Sequence, residues 1–409
     1  MAQRKVKSNI LALLYSVLIL MGTFSLIHGW FPQFYRHVYI TMGIIALSLV
    51  LVPRFFISKQ FVIILLYAMV VFINFKNGDQ YTEGKEILDG LIMASCASMA
   101  WYFILSDDQR GKKWLVLTGF MVVVVDTIGT FIAYLVQPDI VRALMYELQN
   151  TGDNDSLLQF HRFALVEYEV LHGLPALVPP VIMWMRSKKT STIWKVISWI
   201  VIIAILVLLY IGDATTPFLL AVFAIILSLL IVKGNHKRSM QRLAIAALIV
   251  TPFLFSDTIV GDALGAASKV TSGELQKKLE DAAVSMSSKT TGGDVAVRME
   301  LYSESIATFF ESPIVGVDDN TKLGGHSALF DRMGAFGLVG VIPWILFIIV
   351  FMKFVYRRIP QDVRDYFMIG AFCFIALMVL KNMSYLYTWY TFMVLLPCML
   401  TLDVERTKN

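Results

Sequence analysis

The sequence predicts an all-α polytopic membrane protein with about 12 transmembrane helices and a large outer loop between spans nine and ten. Three observations predict it. The chain of 409 residues is 57% hydrophobic, with a mean hydropathy of +0.69. Its apolar runs recur at lengths near the ~20 residues that carry a helix across a bilayer. Its basic residues gather in alternate connections between those runs. A water-soluble fold needs a polar face on each surface helix, and these runs do not supply one.

Taken in order, the runs lie at 10–31, 38–53, 59–75, 87–105, 114–136, 172–186, 193–211, 216–233, 242–259, 335–352, 366–383 and 386–402. The first is long and lacks a small-residue cleavage site, so it reads as a retained helix. With the N-terminal Arg4, Lys5 and Lys7 inside, the inner connections hold Arg54 and Lys59, then Arg110, Lys112 and Lys113, then Arg186, Lys188, Lys189 and Lys195. Lys233, Lys237, Arg238 and Arg242 follow, then Lys353, Arg357, Arg358 and Arg364, and the tail adds Arg406 and Lys408. The short outer loops are sparse, with Arg36, the pair Lys76 and Lys85, and Lys381. An even span count and the positive-inside rule agree in placing both termini in the cytoplasm. The net charge of +5 is this bias and gives no reason to expect nucleic acid as a partner. Cys96, Cys373 and Cys398 fall within apolar runs as packing residues, and neither disulfide nor metal spacing is present. No repeat or low-complexity tract divides the chain, so 1–409 is expected to form a single membrane domain.

Two outer connections are long enough to act, 137–171 and 260–334. In the second, GELQKKLEDAAVSM reads as an amphipathic helix, TTGGD as a break, and 295–311 as a helix ended by Ser312-Pro313. Both loops carry more acids than bases, so individual arginines stand out. Around Arg332 the helical neighbours Ala328, Leu329, Ala335 and Phe336 offer no carboxylate, which predicts a charge free for another use. Arg162 is flanked similarly by Leu158, Gln159, Leu165 and Val166, whereas Arg298 has Asp294 four residues earlier. The alternative for each is an ion pair with one of the loop acids. Ser327 suits the cap of the helix entering span ten. The backbone donors of that helix start, with His326 and Arg332, would suit a phosphate group. Imidazole can also accept a proton from a hydroxyl near neutral pH; the alternative for His326 is a hydrogen bond to loop backbone.

The order Arg298, helix, Ser-Pro-x-x-Gly to Gly316, then Gly325-His326-Ser327 to Asp331 and a span punctuated by Gly334, Gly337 and Gly340 resembles the O-antigen polymerase and ligase superfamily. The close likeness covers about 45 residues. Arg162 with Gly173 also resembles an arginine-to-glycine spacing in the outer loops of the polymerases. GDATTPFLLA at 212–221 departs from the pattern, with Thr215, Thr216 and Pro217 where an arginine is expected and Asp213 beside them.

The resemblance implies a multi-pass glycosyltransferase of the bacterial inner membrane. It would polymerise undecaprenyl-diphosphate-linked repeat units into O-antigen, capsule or exopolysaccharide at the outer, periplasmic face. It also implies a ligase as the alternative, transferring the glycan to lipid A core. The implied partners are a lipid-linked donor and acceptor, membrane lipid and a chain-length regulator; neither cofactor nor metal is expected. The diphosphate is already a good leaving group, so cations, positioning and a base would suffice. The resulting expectations are Arg298, Arg332 and His326 as catalytic groups, with Arg162, Glu300, Asp331 and Ser327 binding substrate; Glu300 and Asp331 have the alternative of solvated loop acids. A lipid-glycan transporter is a further class, with Asp126 as its mid-span acid. Against it, the prolines show no matched pair of halves, and the 260–334 loop would lack a purpose.

Overall fold

The computed structural model describes residues 10, 13–21, 33–76, 85–106, 108–136, 166, 168–212, 214–231, 294–317, 319–381 and 386–404, with isolated positions between 237 and 280. Among these the architecture is helical without strands. In chain order the helices are α1 (Gln33–Leu51), α2 (Lys59–Lys76), α3 (Lys85–Leu105) and α4 (Gln109–Val136). Next come α5 (Tyr168–Arg186), α6 (Thr192–Ile211), α7 (Thr215–Leu230) and α8 (Asp294–Glu311). The last three are α9 (Ala328–Arg358), α10 (Arg364–Leu380) and α11 (Leu386–Thr401). Residues 13–21 are also helical.

Among the described residues, five segments are long and apolar enough to cross a membrane: Leu88–Leu105, Gln109–Leu135, Thr192–Ile211, Ala328–Arg358 and Gln361–Leu380. The outward faces identify their surroundings. On α6, Ile193, Val196, Trp199, Ile200 and Ile203 are all exposed, a stripe at helical spacing that water would oppose and hydrocarbon accommodates. These features make the chain multi-pass and membrane-embedded in character. The expected run at 242–259 and almost all of the loop 137–171 lie outside the described residues.

Burial sorts the helices. From Val170 to Trp184 every residue of α5 is buried, as is every residue of α11 from Leu386 to Leu400. Helices apolar on all sides belong at the centre, and α5 packs against α6, α7, α10 and α11, while α3 packs against α1, α2 and α11. Pro175, Pro179 and Pro180 lie inside α5, where surrounding helices compensate for the lost backbone bonds. A π-turn at Thr391–Leu395 interrupts α11. Cys96, Cys373 and Cys398 are free and buried. Against α2 and α10 lies α9, and α8 packs on α9, which brings the polar segment onto the helical body.

Candidate functional site

The first element of the site, α8, begins at Asp294 directly after Gly292-Gly293, a helix breaker followed by an acid that suits the helix dipole. It ends at Glu311 because Ser312 precedes Pro313, which disfavours helical backbone there. The helix expected over 295–311 is therefore present with nearly those bounds. One face is anchored. The Tyr302 hydroxyl donates to the Leu380 carbonyl at 2.8 Å, and the Tyr302 ring lies 5.7 Å from Phe330. Ser305 donates to the Asp331 carboxylate at 2.6 Å and Thr308 to the Lys322 carbonyl at 2.6 Å. A Cβ on Gly324 would stand 2.1 Å from the Leu301 carbonyl oxygen, so only glycine permits this approach.

The other element, α9, is two helices joined at Gly337, whose φ of 56° and ψ of −160° break the spiral. The break leaves backbone groups without intrahelical partners, and the Ser312–Val317 segment supplies them. Leu338 N–H donates to the Pro313 carbonyl at 2.9 Å and Val339 N–H to the Ile314 carbonyl at 3.0 Å. Val317 N–H returns a bond to the Gly334 carbonyl at 2.8 Å. Gly316 has φ +81°, and a Cβ there would meet the Ala335 carbonyl oxygen at 2.2 Å. The glycine punctuation read in the sequence thus serves a backbone splice between two segments.

Ser327 caps α9 as expected, its hydroxyl accepting from Phe330 N–H at 3.1 Å. Two expectations are corrected here. Ser327 is fully buried and Asp331 is 1% exposed, so both face protein rather than solvent and Asp331 is not a solvated loop acid. The Asp331 carboxylate accepts from Ser327 N–H at 3.1 Å and from Ser305, locking the start of α9 to α8. The backbone donors expected to bind phosphate are also engaged, because Ala328 N–H donates to the Lys381 carbonyl at 2.9 Å. An internal carboxylate occupies the place proposed for an external anion.

Arg332 is the larger correction. Its charge is not free: the side chain is 1% exposed and bonded to Asp89, itself 0% exposed, at 2.8 Å. Its Nε donates to the Tyr67 hydroxyl at 3.2 Å and one terminal nitrogen to the Ala328 carbonyl at 2.9 Å. The guanidinium also lies 4.7 Å from the Trp344 ring centroid, a cation–π geometry. The other Asp89 oxygen accepts from Trp389 at 3.1 Å. One node therefore ties α2, α3, α9 and α11 together. Helical spacing excluded only local partners, whereas the real one lies 243 positions away in the chain. Asp89 was not singled out from the sequence; an acid at the start of an apolar run was the only signal.

Of the remaining expectations, Arg298 is half-buried and lies on the docked face of α8, one turn before Tyr302. His326 is exposed in the turn between Gly324, which packs on Leu301, and Ala328, which bonds Lys381. The register along α8, from Thr308 at Lys322 through Leu301 at Gly324, directs Arg298 toward that turn. Glu300 is exposed and projects from the opposite side of α8, so it does not join them. Lys381 was noted in the sequence only as a sparse outer charge, yet it is half-buried and caps α10 at this same turn. The structure thus brings the Arg298 turn of α8, His326 and the backbone of Lys381 to the start of α9, while the Lys381 ammonium lies within electrostatic range of the buried His172 of α5.

Arg162 lies outside the described residues, as do Asp213 and the side chain of Asp294. Gly173, read with Arg162, lies in α5, where a Cβ would be 2.7 Å from the Thr391 hydroxyl oxygen, so packing against α11 explains it. At the surface beside the site, Lys322 bonds Glu311 at 2.7 Å. The Thr321 hydroxyl and N–H hold the Asp319 carboxyl below its ordinary value. Among the described residues no cluster of three or more metal-ligating side chains is present. Comparison of the chain with protein-family models, characterised proteins and solved structures finds no match.

Proposed function

We propose that the protein is a lipid-diphosphate-dependent glycosyltransferase that polymerises undecaprenyl-diphosphate-linked oligosaccharide units at the outer face of a bacterial inner membrane. The reading includes about 12 spans with both termini in the cytoplasm. The observation that supports it best is the docking of α8, which carries Arg298, beside the His326 turn at one end of a membrane helix, where the diphosphate of a membrane-anchored donor would lie.

The acceptor sugar hydroxyl attacks the anomeric carbon of the donor. The bond from that carbon to the diphosphate oxygen breaks, and undecaprenyl diphosphate leaves with the electron pair. Arg298 balances the charge on the leaving diphosphate. His326 takes the proton of the hydroxyl. Arg332 takes no part in contacting substrate; its pairing with Asp89 fixes α9 against its neighbours.

Purified protein given a lipid-diphosphate glycan is expected to lengthen it without nucleotide sugar, and Arg298→Ala is expected to lose that activity while still inserting. Transfer only to lipid A core would replace polymerase by ligase. Movement of the lipid across vesicles without extension would replace both by a transporter.

A further inference from the structure

We propose that the elbow from Ser312 to Val315, together with the Phe310 ring, inserts into membrane hydrocarbon rather than lying in the aqueous outer loop. Between Arg332 and Lys353 no ionisable side chain interrupts α9, and this stretch of about 20 residues spans roughly 30 Å, the thickness of the hydrocarbon core. Counted back from Lys353 along the part of α9 beyond the Gly337 break, Leu338 and Val339 lie roughly 21–22 Å from the inner border, which leaves them roughly 8–9 Å inside the outer one at a rise of about 1.5 Å per residue. Both donate to the elbow, through Pro313 and Ile314, so the elbow shares their depth.

Its side chains match that depth. Phe310 is 71% exposed, Ile314 64% and Val315 61%, and the exposed Leu338 and Val339 of α9 are bonded to the elbow through Pro313 and Ile314. From Ser312 to Val317 the sequence SPIVGV carries no charge. The ion pair Glu311–Lys322 marks the polar border above it.

Much of the backbone also fits. Irregular chain survives at membrane depth only when its polar groups are satisfied by protein. Here the Ser312, Pro313 and Ile314 carbonyls and the Gly316 and Val317 N–H groups are all bonded, and Pro313 has no N–H to satisfy. The occupant of this apolar face is lipid acyl chain, continuous with the lipid around α9. Insertion itself does not depend on the proposed reaction. Joined to it, the elbow fixes α8, and with it Arg298, at the height of lipid headgroups.

Nitroxide labels at Ile314→Cys, Val315→Cys and Phe310→Cys test the inference, with Thr321→Cys as an exposed reference, in phosphatidylethanolamine–phosphatidylglycerol vesicles. The native cysteines are buried, and all four labelled sites are exposed, so attachment need not disturb the fold; monodisperse elution confirms it for each variant. The ratio of oxygen to nickel-chelate accessibility is expected to be several-fold higher at the elbow sites than at Thr321→Cys. Equal ratios would place the elbow in water and overturn the inference. Exclusion of both reagents would mean that protein covers the elbow, which overturns it equally. Glycan extension is not part of the readout, so failure here and failure of the proposed activity remain separate.

Discussion

Removing either member of the Arg332–Asp89 pair leaves the other charge where water does not reach, between side chains that are 1% and 0% exposed. Such truncations cost about 3–5 kcal/mol, whereas replacing both members with apolar residues of similar size is often neutral. Asp89→Ala and Arg332→Ala are each expected to lower thermal stability in detergent strongly, and Asp89→Leu with Arg332→Met to recover most of the loss. A melting series on the four proteins checks this, and additive losses in the double variant would refute the pairing account. Ser327→Ala removes one cap bond and is expected to cost about 1 kcal/mol, visible as a small drop in melting temperature. At this scale the sequence revealed residue type and missed partnership. Arg332 was visible as a cation without a local acid, but its partner is a product of helix packing.

The hairpin of α8 and α9 depends on glycines of two kinds. Gly316 combines φ +81° with a neighbouring backbone oxygen 2.2 Å from any added Cβ, whereas Gly325 at φ +68° has nothing within 4 Å. Gly325→Ala therefore meets only the left-handed backbone cost of about 1–2 kcal/mol. Gly316→Ala must in addition part the splice that satisfies the broken helix. The expectation is near-normal accumulation of the first variant in membranes and severe loss of the second, measured by quantitative immunoblot. The sequence made α8 legible almost to the residue, since a glycine pair and a Ser-Pro bound it. The break in α9 was not legible, because Gly334, Gly337 and Gly340 look alike in the chain and only Gly337 adopts the non-helical backbone within α9.

For the whole molecule, orientation is the testable quantity. Glu300 is exposed on α8 and Lys189 is exposed in the connection between α5 and α6. The positive-inside bias predicts that they lie on opposite sides. A membrane-impermeant maleimide applied to intact spheroplasts is expected to label Glu300→Cys and spare Lys189→Cys, with little background because the three native cysteines are buried. The reverse pattern would place the site in the cytoplasm and remove the proposed donor from its reach.

Composition and run length by themselves determined the all-helical, membrane-embedded class, because a bilayer imposes its thickness on any chain that crosses it. Local breakers determined α8, and the Ser327 cap was also readable. Only the tertiary structure decided which charges are available for chemistry. It spent Arg332 and Asp331 on holding helices together, turned Glu300 away, and joined the Lys381 carbonyl to Ala328 across a gap of more than 50 residues in sequence. The physical reason is that a charge within apolar packing is stable only with a partner. That partner comes from wherever the helices meet, which no local pattern encodes.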